Sequence, residues 1–319
     1  MSASHSAHQS PAGQKPTSYY VPASSPWPFL GSFILFIFVI GAAGLIQGNG
    51  VTDLSRGMQE KGAGTLAFLF PIGLVGVLAL MFFWFRDTAR ESLANMNSAQ
   101  MDLSYRQGMT WFIFSEVMFF AAFFGALFYA RWLVVPWLSG EPSWLGGDGR
   151  GPMTHELLWP DFQAMWPLVK TPDGVTTTAM GPWGLPFYNT VILLISSWTL
   201  TIAHHAVIAG DRIKQRNYLA ITFILGLIFL GLQVEEYIHA YTEMGLTLKS
   251  GIYGSTFFML TGFHGLHVTI GTIMLIVMFI RTLKGHLTPD NHFAFEAAAW
   301  YWHFVDVVWL FLFLVVYWF

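Results

Sequence analysis

Seven times along this chain an apolar run reaches the thickness of a bilayer, about 20 residues: near Trp27–Gln47, Thr65–Phe85, Gln107–Val135, Gly184–Ile208, Leu219–Tyr241, Tyr253–Ile280 and Phe293–Trp318. A backbone in hydrocarbon must satisfy its own N–H and C=O groups, so runs of this length are expected to fold as helices. The chain therefore reads as an all-α integral membrane bundle of seven transmembrane helices. Composition agrees: 10% of residues are charged, against roughly 25% in a soluble domain. The net charge of -3 is small and no basic run points to nucleic acid. With no cysteine, disulfides, thiolate metal sites and cysteine nucleophiles are excluded, and any metal would need His and carboxylate ligands.

Residues 1–26 are rich in Ser, Ala, Pro and His and resemble neither a signal peptide nor an Arg-rich transit peptide. They are expected to form a disordered tail ahead of a membrane domain over 27–319. A Gly, Pro and Trp-rich connection over about 136–182 must be an exposed excursion rather than a span. A cytoplasmic N-terminus puts Lys15, Arg86, Arg90, Arg106, Arg212, Lys214, Arg216, Arg281 and Lys284 inside, and leaves Arg56, Lys61, Arg131, Arg150, Lys170 and Lys249 outside. The basic excess on the short loops favours this orientation.

Charges within such helices need a reason, because an ionisable side chain in hydrocarbon costs a few kcal/mol. In the run 292–313, Glu296, His303 and Asp306 fall within roughly an 80° arc of one helix. That face is expected to avoid lipid, with Phe304, Val308 and Leu312 turned elsewhere. Glu116 lies about nine residues beyond Gln107, roughly 14 Å into a layer about 30 Å thick. It reads either as a carboxyl making one helix-to-helix hydrogen bond or as a proton-linked group. His264 and His267 share a face with Gly271, and Ser197, Thr201 and His204 share another. Glu236 and His239 match the Glu-x-x-His spacing of di-iron bundles, but no second copy exists, and His204 and His205 point about 100° apart. The histidines are expected to hydrogen-bond across close-packed helix faces rather than to hold metal. No phosphate-binding loop or nucleophile triad is present.

Several strings identify a family. SPWP (25–28), WFRDTARES (84–92), RQGMTWFIFSEVMFF (106–120), NTVILLISSWTLTIAHH (189–205) with GDR (210–212), YGSTFFMLTGFHGLHVTIG (253–271) and HFAFEAAAWYWHFVDVVWLFLF (292–313) together closely resemble subunit III of haem-copper cytochrome c oxidases. The resemblance runs from about Tyr20 to the C-terminus. It implies two helices and five helices separated by a V-shaped cleft that holds structural phospholipid. It also implies that this chain binds no cofactor of its own, haem and copper residing in the partner subunits I and II. Subunit III of the family packs on subunit I, protects it from inactivation during turnover and supports proton uptake, with cytochrome c as the electron donor to the complex. A quinol oxidase subunit III is the alternative.

Carried over by position, Glu116 matches the intramembrane Glu of the family's S-E-x-x-F-F motif. Trp84, Arg86, Glu91, Arg281 and His286 fall where the family contacts cleft lipids. His204, His264, His267, Glu296, His303 and Asp306 then read as intramembrane polar packing groups, with no catalytic or metal-binding residue. Three departures stand out: no His between Leu93 and Gln100, Ala209 where an acidic residue is common, and the long 136–182 connection. The resemblance and orientation together lead to the expectation of a multi-pass protein of a bacterial inner membrane. Two other classes remain, a di-haem membrane cytochrome, and a proton channel using Glu116, Glu235, Glu296 and Asp306.

Overall fold

The structure, a computed structural model, describes residues 25–50, 66–94, 96–141, 153–171 and 174–318. The expected tail falls outside the described residues except for its last two positions, as does the 142–152 part of the long connection. Among the described residues the order is α1 (Trp27–Gly50), α2 (Leu69–Leu93), α3 (Ala99–Tyr129), α4 (Val135–Leu138), α5 (Met153–Leu158), α6 (Leu185–Ile208), α7 (Arg212–Thr242), α8 (Ile252–Leu283) and α9 (Phe293–Leu312). Seven of the helical stretches are long and apolar enough to cross a membrane, with α3 and α4 forming one of them, Ala99–Leu138. A π-helical turn over Ala130–Val134 joins those two. Its cause is local: Pro136 has no N–H to offer the carbonyl four residues back and its ring crowds that carbonyl, so the ladder must rearrange there.

The chain divides into two compact units after Ser104, the first holding α1 and α2 and the second the remaining five spans. In the first unit, small residues let two backbones touch. A Cβ at Gly41 would collide with the backbone of Leu69 and Phe70, and one at Gly73 with that of Phe38. In a bilayer, where lipid tails are as apolar as Leu, such close packing is a main source of helix association.

The second unit is organised around α9. Sequence periodicity suggested one protected face, but Phe304, Val308 and Leu312 are buried along with Asp306, so the helix is enclosed on most sides. Three polar tips, two on α9 and one on the π-helical segment Phe313–Trp318 that continues it, reach the neighbouring helices at successive levels. Trp302 Nε1 donates to Ser196 Oγ on α6 at 3.0 Å, Trp309 Nε1 to Thr190 Oγ1 on α6 at 3.0 Å, and Tyr317 Oη to Glu236 Oε1 on α7 at 2.7 Å. The Trp302 ring lies against two glycines: an added Cβ would come to 2.7 Å of it at Gly226 on α7 and 2.9 Å at Gly271 on α8. Trp302 and Trp309 are both fully buried.

The described part of the long connection is not a loose excursion. Leu168 and Met180 are buried, and the Met180 N–H donates to Tyr253 Oη at 3.3 Å. At the other end, the Gly-Asp-Arg string has a structural use: Asp211 Oδ1 accepts from the Lys214 N–H at 3.1 Å and caps α7.

Candidate functional site

Glu116 sits mid-way along α3, and its partner lies on α8. Its Oε2 is 2.8 Å from His267 Nε2, across 151 residues of sequence. The other ring nitrogen, Nδ1, is 2.6 Å from the Phe263 carbonyl one turn back on the same helix. A carbonyl can only accept, so Nδ1 carries a proton and the tautomer follows. The Glu116 contact then contains one further proton in either of two arrangements. The carboxyl donates to a bare Nε2, or a carboxylate accepts from an imidazolium. Both arrangements are neutral overall, which is how two ionisable groups can share this depth.

Aromatic rings hold the histidine. His267 meets Phe120 edge-on at 5.0 Å, and Tyr301 stacks on it at 6.3 Å with planes 17° apart. The side chains of Glu116 and His267 are 21% and 10% exposed, so the pair lies near the border of the unit. His267 as the partner of Glu116 has no signal in the sequence beyond both being intramembrane polar groups.

The other polar packing groups separate into small sets. His264 is fully buried between Phe229 and Trp309, with Nε2 at 3.2 Å from the Val305 carbonyl. It does not join His267 in one site; each ring is tied to a different carbonyl. His303 Nδ1 lies 2.6 Å from Ser197 Oγ on α6. Asp306 is 4% exposed, with the Ser197 hydroxyl beside it and neither carboxylate oxygen in a well-formed hydrogen bond among the described residues. Glu296 pairs with Arg106 of α3, an ion pair between helices that no pattern within either helix reports. His204, His292 and Glu296 bring one ligand-type atom each within 4.8 Å of one another, while Arg106 already neutralises the carboxylate. The Glu236 and His239 pair of the di-iron spacing diverges: Glu236 is buried on Tyr317, and His239 is exposed beside Glu243.

The positions expected from the resemblance to contact lipid lie in both units. In the first, Trp84 is exposed, Arg86 stands over the Phe83 ring and 3.6 Å from Asp87, and Glu91 is half-buried. In the second, Arg281 is in the last turn of α8, and the His286 N–H donates to its carbonyl at 3.0 Å. The Arg281 Nε is buried with no hydrogen-bond partner among the described residues.

The family model for cytochrome c oxidase subunit III matches residues 17–145 and 154–319. Among curated relatives, the chain is similar to cytochrome c oxidase subunit 3 of Marchantia polymorpha, 44% identical over 92% of this chain and 93% of the relative. The Arabidopsis thaliana protein of the same name is 40% identical over 94% and 96%, and the Mus musculus one 38% identical over 94% and 97%. These sources are plant and mammalian, which corrects the expectation of a bacterial inner membrane. Charge bias along the loops reports orientation and says nothing about which membrane is crossed. What stands is a multi-pass membrane protein.

Proposed function

Because the chain belongs to the cytochrome c oxidase subunit III family, one subunit of an oxidoreductase complex, we propose that it is a non-catalytic core subunit that stabilises the oxygen-reducing subunit and supports proton uptake. Family members hold no redox centre themselves. The complex implies other oxidase subunits as neighbours. In this reading haem and copper reside in subunits I and II, the chain packs on subunit I, and cytochrome c delivers the electrons.

The observation that carries the proposal is the Glu116–His267 contact, a one-proton pair at mid-membrane, near the border of its unit. An internally neutral pair adds no net charge to a surface meant for another hydrophobic subunit. It can also pass its proton between two heavy atoms 2.8 Å apart without moving either helix. Glu116→Gln keeps a donor for His267 but removes the exchangeable carboxyl proton. In the purified complex this variant is expected to assemble normally and to lose activity faster during sustained turnover. Wild-type decay of activity, together with a wild-type dependence of rate on pH, would refute the proton-linked role and leave Glu116 a packing residue.

Lipid binding is a second part of the same reading. The buried, unpartnered Nε of Arg281 supports an anionic headgroup at that end of α8, where a basic side chain meets lipid phosphate. Replacing Arg281 and His286 together by Ala should lower the tightly bound anionic phospholipid that copurifies with the complex. Unchanged retention, measured by lipid mass spectrometry, would rule these residues out.

A further inference from the structure

Three buried side chains with unpartnered polar atoms stand at one level of the α6–α7 pair by helix register, and none of the roles above uses the unpartnered atoms. On α6, Asn189 is 0% exposed, and neither its Oδ1 nor its Nδ2 has a hydrogen-bond partner among the described residues. On α7, Gln233 is 5% exposed with both amide atoms unpartnered, and Glu236 is 1% exposed with Oε2 unpartnered. The helices are in register here. Thr199 Oγ1 and Thr222 Oγ1 meet at 2.9 Å, and ten residues along each antiparallel helix from that contact stand Asn189 on one side and Leu232, next to Gln233, on the other. Glu236 lies one turn further along α7 on the face of Gln233.

The walls add donors. Tyr317 Oη gives its proton to Glu236 Oε1 at 2.7 Å. Tyr253, 2% exposed and separated from Tyr317 by the Phe257 ring that both contact, accepts from the Met180 N–H, which leaves its own hydroxyl proton to give. Five orphaned atoms fall on these three side chains, each under a tenth exposed, and buried polar groups of this kind are as a rule satisfied by protein or by ordered water.

The mixture selects the guest. The two amides each offer an N–H donor and a C=O acceptor, Tyr253 offers a hydroxyl proton and Glu236 an open carboxyl oxygen. A guest that both donates and accepts satisfies all of them. We propose that Asn189, Gln233 and Glu236 enclose a small cluster of ordered water inside the bundle, roofed by Tyr317 and Tyr253. The cluster would bridge α6 to α7 where direct contact is missing and would keep Glu236 hydrated although it is buried. Polar lining and two or more partners per molecule are the conditions under which interior water is held.

The test uses the intact oxidase complex. A structure at a resolution that shows ordered solvent should contain at least one density peak within hydrogen-bond reach, roughly 3 Å, of both Asn189 and Gln233. Infrared spectra of the complex should contain internal-water O–H bands that shift in water labelled with oxygen-18. The double variant Asn189→Leu/Gln233→Leu removes four of the five orphaned atoms, and its spectra should lose those bands. If the two amides are instead bonded directly to each other or to Glu236 with no density between them, the proposal is wrong. It is equally wrong if an assembled double variant keeps every labelled-water band. Should the double variant fail to assemble, the wild-type density alone decides.

Discussion

Glu116 and His267 form a pair whose strength can be measured by removing each partner alone and then both. Glu116→Ala deletes the carboxyl and leaves His267 Nε2, on a side chain 10% exposed, facing the space it occupied. An unsatisfied polar group of that kind costs about 1–3 kcal/mol. His267→Leu deletes the ring together with its contacts to Phe120 at 5.0 Å and to Tyr301, so its single effect should be the larger. Two magnitudes compete for the coupling between them. Hydrogen bonds between transmembrane helices average about 0.6 kcal/mol in double-mutant cycles, whereas a bond with an ionised partner contributes about 1.5–3 kcal/mol. The 2.8 Å distance and the tautomer fixed by Phe263 favour the stronger class, and the 21% exposure of Glu116 discounts it toward the lower end. A coupling of about 1–2 kcal/mol is expected, with Glu116→Gln losing less than about 1 kcal/mol because its amide can still donate. The assay is reversible detergent-induced unfolding of wild type, both singles and the double. Single effects that simply add, within about 0.5 kcal/mol, would refute the pairing as drawn.

Gly226→Leu or Gly271→Leu should disrupt the bundle, since even a Cβ would come within 2.7 or 2.9 Å of Trp302, and overpacking of this kind costs about 1–3 kcal/mol. Gly231→Ala, with nothing within 4 Å of the added carbon, is the control, and the yield of assembled complex separates them. Arg106→Gln should destabilise by about 1–2 kcal/mol by leaving Glu296, whose side chain is 14% exposed, without its cation. Adding Glu296→Gln should restore most of that loss in the same unfolding assay. Asp211→Ala should cost about 1 kcal/mol through the lost cap on α7, and Asp211→Asn far less, read as the shift in thermal midpoint.

The spans were legible because length and apolarity alone decide them, and the division after Ser104, early in α3, leaves α1 and α2 in one unit and most of α3 with the other four spans in the second. The surroundings of α9 were not. Where every face is apolar, a helix enclosed by protein and a helix facing lipid look alike in sequence, so Phe304, Val308 and Leu312 gave no warning of their burial. The π turn before Pro136 was readable in principle from the proline. The partners of the polar groups were out of reach for a different reason. Glu116 to His267 spans 151 positions, Ser197 to His303 106, and Glu236 to Tyr317 81, and no periodicity within one helix reports on another.

Those long-range pairs also explain why polar side chains persist in helices whose packing needs none. Between helices, lipid-exposed apolar surface gives little preference for one neighbour over another. A carboxyl, an imidazole or an indole N–H does discriminate, because a wrong neighbour leaves it unsatisfied in a medium without water. Glu116 on α3 is answered by α8, Ser196 and Thr190 on α6 by two tryptophans of α9, and Glu236 on α7 by Tyr317. The small residues then decide how closely the named neighbours approach, as Gly226 and Gly271 do for Trp302. On this view the polar groups select which helices meet and the glycines set the distance. A swap of Trp309 to Phe, which keeps the ring but drops its bond to Thr190, should loosen α6 from α9 while leaving α7 and α8 against each other; hydrogen exchange that rose equally in all four helices would count against that division of labour.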